Sequence, residues 1–67
     1  MSADNYMVIK EIDGLWHVWM VLGGYDLDAL DVPGEHYHKF FEEELNAHHY
    51  AHQVCATTIV EYGVVLR

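Results

Sequence analysis

Six histidines are the first residues of this chain whose chemistry stands out. His48 and His52 are four positions apart and share one face of a predicted helix, while His36 and His38 alternate on an extended segment. Such spacings can ligate zinc. No HExxH pattern accompanies them, and the ligands would have to converge from two segments, so we favour half-buried histidines that pack beside aromatic side chains. A His-based metal-binding module stays open as an alternative, and we assign no metal ligand and no cofactor.

A cysteine nucleophile is the second chemistry to consider. Cys55 is the only cysteine, and it follows His52 by three positions on the predicted helix. A Cys–His pair needs an orienting third residue and donors for an oxyanion, and the sequence supplies neither. We therefore interpret Cys55 as a buried structural thiol. We predict that the chain is not an enzyme.

Acidic residues are concentrated between positions 26 and 44. This segment has seven acids against the single base Lys39, a local charge of −6 within a total of −8. The acids are Asp26, Asp28, Asp31, Glu35, Glu42, Glu43 and Glu44.

The spacing of these acids is compatible with a nucleic-acid mimic. On an extended chain Asp26 and Asp28 point to the same side about 6.6 Å apart, like successive phosphates. A basic groove that binds DNA would attract such a surface in a salt-sensitive way. A solvated, solubilising surface is the alternative interpretation.

Two predicted strands come before this segment. The runs Tyr6–Ile12 and Leu15–Leu22 flank Asp13-Gly14, which is a strong hairpin signal because a type I′ turn needs positive φ at both positions. A two-residue turn pairs Ile12 with Leu15 and Tyr6 with Val21. The face with Met7, Ile9, Trp16, Val18 and Met20 is then the core face, and we expect the other face, with Val8 and Trp19, to be partly covered.

A helix and a third strand complete the predicted fold. A helix over about 42–54 places the three glutamates in its first turn, where the dipole favours negative charge, and leaves His36–Phe41 extended with Phe40 or Phe41 docked. The run Thr57–Leu66 is the third strand. We predict an α+β fold: a single domain over 1–67, in ββαβ order. It has a three-stranded antiparallel sheet of order 2-1-3 and one helix on one face. Leu27 and Leu30 could form a short extra helix within 25–35.

The composition of the chain limits the classes of function that it can have. The chain has 67 residues, 52% of them hydrophobic, so it can form one small core but hardly a deep substrate cavity. With only three basic residues it is a poor candidate for direct nucleic-acid or anionic-membrane binding. One cysteine fits a reducing compartment, and the N-terminal residues lack signal-peptide features, so we expect a cytoplasmic protein.

The motifs at the two ends carry a resemblance. The opening Asp4-Asn5-Tyr6, the Asp-Gly hairpin, the Glu-rich helix start and the closing Glu61-Tyr62-Gly63-Val64 resemble those of short phage and bacterial proteins. In size, acidity and ββαβ core the chain is similar to phage-type anti-CRISPR proteins, in particular the acidic type I-C inhibitors. The resemblance implies an inhibitor, acting in the bacterial host cytoplasm, that occupies the DNA-recognition surface of a Cascade (Cas8-type) subunit. It implies no catalytic residue.

The predicted partner surface combines charge with apolar contact. The seven acids supply the electrostatic attraction, and Tyr6 and Trp19 add apolar contact from the second sheet face. The protein is expected to be a monomer or a weak dimer. A structural homo-oligomer that pairs exposed sheet faces, with Trp19 at its centre, is the first alternative.

Overall fold

The computed structural model describes residues 5–22, 32–58, 60 and 63–67. Within these residues a sheet packs against a helix, which confirms the predicted α+β class. The elements in chain order are β1 (Asn5–Ile12), β2 (Leu15–Leu22), β3 (Lys39–Phe41), α1 (Glu44–Thr57) and β4 (Val64–Leu66). The extra helix predicted within 25–35 falls partly outside the described residues, and positions 32–35 are not helical.

The β1–β2 hairpin forms as predicted. Asp13 and Gly14 both have positive φ, at 52° and 85°, as a type I′ turn requires. Ile12 pairs with Leu15 at the turn, and the antiparallel register continues to Asn5 and Leu22 at the open end. The tight turn thus fixes which side chains share a face of the sheet.

The sheet has more strands than predicted, and one of them runs in a different direction. It is four-stranded with the order β3-β2-β1-β4, and β4 is parallel to β1, with Met7 opposite Val64. The predicted three-stranded antiparallel sheet is therefore wrong, although the last strand does lie beside β1. The physical reason is β3, which pairs antiparallel with β2 and adds one reversal of the chain. The helix then returns the chain so that β4 starts at the same end as β1.

Helix α1 starts and ends later than the predicted 42–54. It runs from Glu44 to Thr57, so the predicted start of the last strand at Thr57 is wrong. Strand β4 contains three residues. It is fixed to β1 by hydrogen bonds from the Met7 N–H to the Gly63 carbonyl and from the Arg67 N–H to the Ile9 carbonyl, each 2.8 Å. Other parts of the predicted strand, at 59, 61 and 62, lie outside the described residues.

The main core lies between α1 and the predicted core face of the sheet. The helix contributes Ala47, Ala51 and Val54, which recur at helical spacing. These small side chains let the helix approach the sheet closely. They pack against the buried sheet residues Met7, Ile9, Val18 and Met20.

The second face of the sheet is also covered, as predicted. Val8, Trp19 and Val21 are buried there, with Tyr6 packed against them. The chain that follows β2 passes close to this cluster, since a Cβ placed on Gly34 would lie 3.7 Å from Cδ1 of Trp19. The sheet is therefore buried on both sides at its centre.

Candidate interaction surface

The described acids of the 26–44 segment all lie on the surface. Glu35, Glu42, Glu43 and Glu44 are exposed. Asp26, Asp28 and Asp31 lie outside the described residues, so their predicted role stays a prediction. The candidate acidic surface that the structure describes is therefore the connection between β3 and α1.

This connection holds Glu42 and Glu43 at a bend between the last residue of β3 and the first residue of α1. Phe41, the last residue of β3, pairs with Trp16 on β2. Glu43 is the N-cap residue of α1, with φ −115° and ψ 137°, and its side chain makes no capping hydrogen bond. Only Glu44 lies in the first helical turn, so the prediction that all three glutamates lie there is wrong.

Glu44 differs from its two neighbours because it has a partner within the helix. Its Oε2 lies 3.1 Å from Nε2 of His48, an i,i+4 pair on the helix surface. Among the described residues, neither Glu42 nor Glu43 has a side-chain hydrogen bond or ion pair of this kind. A side-chain partner therefore accounts for the charge of Glu44, whereas the carboxylates of Glu42 and Glu43 have no such partner among the described residues.

Tyr6 and Trp19, the two apolar residues of the predicted partner surface, differ in exposure. Tyr6 is half-buried against the cluster on the second sheet face. Trp19 is only 1% exposed, so it has no surface to offer a partner. The indole is buried in this structure, and its predicted contact with a partner, like the alternative of a dimer centred on Trp19, stays a prediction. The chain at Gly34 lies beside the indole, since a Cβ placed there would be 3.7 Å from Cδ1 of Trp19.

Exposed apolar side chains lie elsewhere, around β3. Phe40 is 60% exposed, and Tyr37 and Leu45 are also exposed. Phe40 and Phe41 are adjacent on a strand, so they must point to opposite faces. Phe41 packs against the core and Phe40 stays outside. The prediction that one of the two phenylalanines docks is confirmed, and the other places an aromatic ring two residues before Glu42.

The segment 36–41 is fixed from the helix side through Tyr50. The Tyr50 hydroxyl donates to the Tyr37 carbonyl at 3.1 Å, and its ring contacts Phe41 with centroids 5.8 Å apart. Nζ of Lys39 lies 5.0 Å from the centroid of the same ring, within cation–π range. Burial raises the pKa of Tyr50, and Tyr37 raises it further, so the hydroxyl stays protonated as a donor.

A histidine pair fixes the same segment from the sheet side. Nδ1 of His17 lies 2.9 Å from Nε2 of His38. The two rings are nearly parallel, at 11°, with centroids 5.2 Å apart. The pair was not predicted, because it depends on the β2–β3 register that places Phe40 opposite His17.

The surroundings of His17 make it harder to protonate. Partial burial lowers the pKa of His17, the neighbouring His38 lowers it further, and Asp13 opposes both effects. Lys10 faces His17 across the β1–β2 pair. A neutral imidazole at His17 can accept or donate one hydrogen bond through Nδ1, according to its tautomer.

Metal binding finds little support in this arrangement. Within 5–22, 32–58, 60 and 63–67, no three His, Cys, Asp or Glu side chains come together as a metal site. The two ring centroids are 5.2 Å apart, which is the distance expected when the 2.9 Å nitrogen contact lies on the line between the ring centres. The two nitrogens therefore point at each other rather than at a shared third point. His48 and His52 stack with centroids 6.5 Å apart, and His48 is already bound to Glu44.

Cys55 lies where a structural thiol is expected. It is half-buried and packs against the main core. Burial raises the pKa of the Cys55 thiol, which reduces the thiolate that a nucleophile would need. These observations agree with the interpretation of Cys55 as a packing residue.

Comparisons with protein-family models, with curated proteins and with solved structures gave no match to this chain. No helix in the described part of the chain has the length and apolar character needed to cross a bilayer. The functional argument therefore rests on the surface described above: the exposed carboxylates of Glu42 and Glu43 beside the exposed ring of Phe40.

Proposed function

We propose that this chain binds the nucleic-acid-recognition surface of a basic protein and competes with the nucleic acid for it. The observation that carries the proposal is the position of Glu42 and Glu43, two adjacent exposed carboxylates that make no side-chain hydrogen bond or ion pair among the described residues. In the form that the sequence resemblance implies, the partner is a Cas8-type subunit of a type I-C Cascade complex. The outcome is then an anti-CRISPR effect, the loss of target DNA binding.

The identity of the residue at position 43 supports the proposal. Helix N-caps favour Ser, Thr, Asp and Asn, whose short side chains accept a backbone N–H, and these residues contribute about 1 kcal/mol to stability. This chain has a glutamate there that makes no capping bond. A residue that lowers helix stability yet keeps a charge on the surface is what a binding role predicts.

The exposed ring of Phe40 adds to this support. Protein interfaces commonly have an aromatic anchor surrounded by polar and charged residues. Phe40 is 60% exposed on an edge strand, two residues before Glu42. Charge would then attract the partner, and the ring would contribute to the lifetime of the complex.

A competition experiment tests the proposal. A labelled DNA duplex is bound to guide-loaded type I-C Cascade, and its release by the chain is followed by fluorescence anisotropy at 50 mM and 300 mM salt. Glu42→Gln with Glu43→Gln removes two negative charges. At about 0.5–1 kcal/mol for each charge pair, the concentration for half-release should rise roughly fivefold to thirtyfold at low salt, and less at high salt.

A matched control separates local charge from net charge. Gln53→Lys with Ala56→Lys changes the net charge by the same +2 at exposed positions of α1. The nearer of the two positions is ten residues from Glu43, about 15 Å along the helix, which exceeds the Debye length of about 14 Å at 50 mM salt. The control should release DNA like the wild type. Equal weakening by both double variants would contradict a specific acidic surface, and no release by the wild-type chain would exclude Cascade as the partner.

A further inference from the structure

We infer that His17 and His38 form a pH-sensitive lock that holds the chain entering β3 against β2, closed by one shared proton and opened when both rings are protonated. The lock is independent of the proposed partner. It concerns the edge of the sheet where Phe40 and the following glutamates are presented.

The geometry of the pair defines its closed state. The two facing nitrogens are 2.9 Å apart and lie close to the line between the ring centroids, in rings only 11° from parallel. This is the arrangement of an N–H···N hydrogen bond, in which one ring donates and the other accepts. If both rings are protonated, two N–H donors and two positive charges face each other across the same distance, and the bond is lost.

The lock lies beside a short segment that two other hydrogen bonds also hold. His38 directly precedes the three-residue edge strand β3. Toward the N-terminus, the Tyr37 carbonyl accepts the Tyr50 hydroxyl at 3.1 Å and the His36 carbonyl accepts the Met20 N–H at 2.8 Å. Tyr37 has a φ of 54°, a left-handed conformation that is unfavourable for a tyrosine and persists only while its neighbours hold it.

The charged groups that face the pair set how readily it opens. Lys10 lies opposite His17 on β1, and Asp13 lies in the turn below it. Burial and His38 lower the pKa of His17, while Asp13 raises it. The ring of Phe40 lies 5.6 Å from His17 and 6.4 Å from His38, centroid to centroid, and the bond between the two histidines is exposed to solvent. Opening is therefore expected below the ordinary histidine range rather than at neutral pH.

Amide hydrogen exchange of the Met20 N–H tests the lock directly, because this group bridges β2 to His36. Exchange rates are measured by NMR at pH 7.5 and pH 5.0 and corrected for intrinsic chemistry. In the wild type, protection at Met20 should fall about tenfold at pH 5.0, as expected for the loss of one hydrogen bond. Protection that is equal at the two pH values would overturn the inference.

Two variants keep the test specific. His38→Gln should give low protection at Met20 at both pH values, while the exposed His49→Gln should behave like the wild type. If His38→Gln does not fold, ¹⁵N shifts of the wild-type rings decide instead. The lock requires one protonated and one unprotonated nitrogen at the 2.9 Å contact at pH 7.5, and two protonated nitrogens at pH 5.0. Independent titration of the two rings would overturn it.

Discussion

Replacing Glu43 should raise stability and reveal why a glutamate is there. The residue has the extended backbone of an N-cap, and its carbonyl accepts the Ala47 N–H at 3.4 Å, but its side chain leaves the first N–H groups of α1 without a cap. In Glu43→Asp the shorter carboxylate can accept the N–H of Leu45 or Asn46 and keeps the charge. Glu43→Ser can make the same bond without the charge.

The expected increases in stability follow from the free energy of an N-cap hydrogen bond. A side-chain cap contributes about 1 kcal/mol, which for a domain of this size raises Tm by about 4–8 °C. Serine gives up the favourable interaction of a negative charge with the helix dipole, about 0.3–1 kcal/mol, so we expect the stability order Asp, then Ser, then Glu. Thermal unfolding followed by circular dichroism measures this order.

Partner binding should distinguish the two variants, because only Glu43→Asp keeps the negative charge. Glu43→Asp keeps the carboxylate and should release DNA from Cascade like the wild type, whereas Glu43→Ser should be roughly twofold to fivefold weaker. If neither variant raises Tm, Glu43 is not the N-cap and the structural reasoning is refuted. If the two weaken binding equally, the charge of Glu43 is not what the partner recognises.

Three further predictions concern the core, the pH dependence and the acidic loop. Ala51→Leu should destabilise the chain by about 1–3 kcal/mol in urea unfolding by overfilling the helix–sheet contact, while the exposed Ala56→Leu should change stability by less than about 0.5 kcal/mol. Folding lowers the pKa of His17 from its ordinary value of 6.5, so between these two pKa values the unfolded chain binds more protons than the folded chain. The free energy of unfolding should therefore fall as the pH drops through 6.5 and level off below the pKa of the folded state. His17→Gln should make this fall smaller. Asp28→Lys with Asp31→Lys should abolish release of DNA and leave the circular dichroism spectrum unchanged, and unchanged competition would remove these two residues from the proposed surface.

The hairpin and the main core could be predicted because local rules determine them. Asp13-Gly14 specifies a two-residue turn, and the turn specifies the register and therefore the faces. The helix position could be argued from Glu44, whose charge is unfavourable inside a helix that starts at Tyr37. Its exact start could not, because Phe41 is still paired with Trp16 in β3 and a bend at Glu42 and Glu43 precedes the helix.

The direction of the last strand could not be predicted, because it depends on β3. Three residues are too few for an alternating pattern to identify a strand, and Lys39 at its start is not typical of one. Without β3 the number of chain reversals is wrong by one, and β4 is then expected to be antiparallel to β1. The His17–His38 contact was missed for the same reason.

The candidate surface was predicted in part. The charge of Glu42 and Glu43 was evident from the sequence, but all three glutamates were placed in the first turn of the helix, whereas only Glu44 lies there and Glu43 is the N-cap. Trp19 was chosen because it lies on the second face of the sheet, which the sequence predicted to be only partly covered. The chain at Gly34 lies beside the indole, and nothing in the sequence signals that contact.

The most direct test of the central claim is whether the chain and DNA exclude each other on the partner. The apparent Kd of the labelled chain for guide-loaded type I-C Cascade is measured at increasing concentrations of target duplex. If the chain occupies the DNA-recognition surface, the apparent Kd should rise in proportion to the free duplex concentration without limit. An apparent Kd that reaches a plateau, or that does not change, would contradict the claim that the acidic surface takes the place of the nucleic acid.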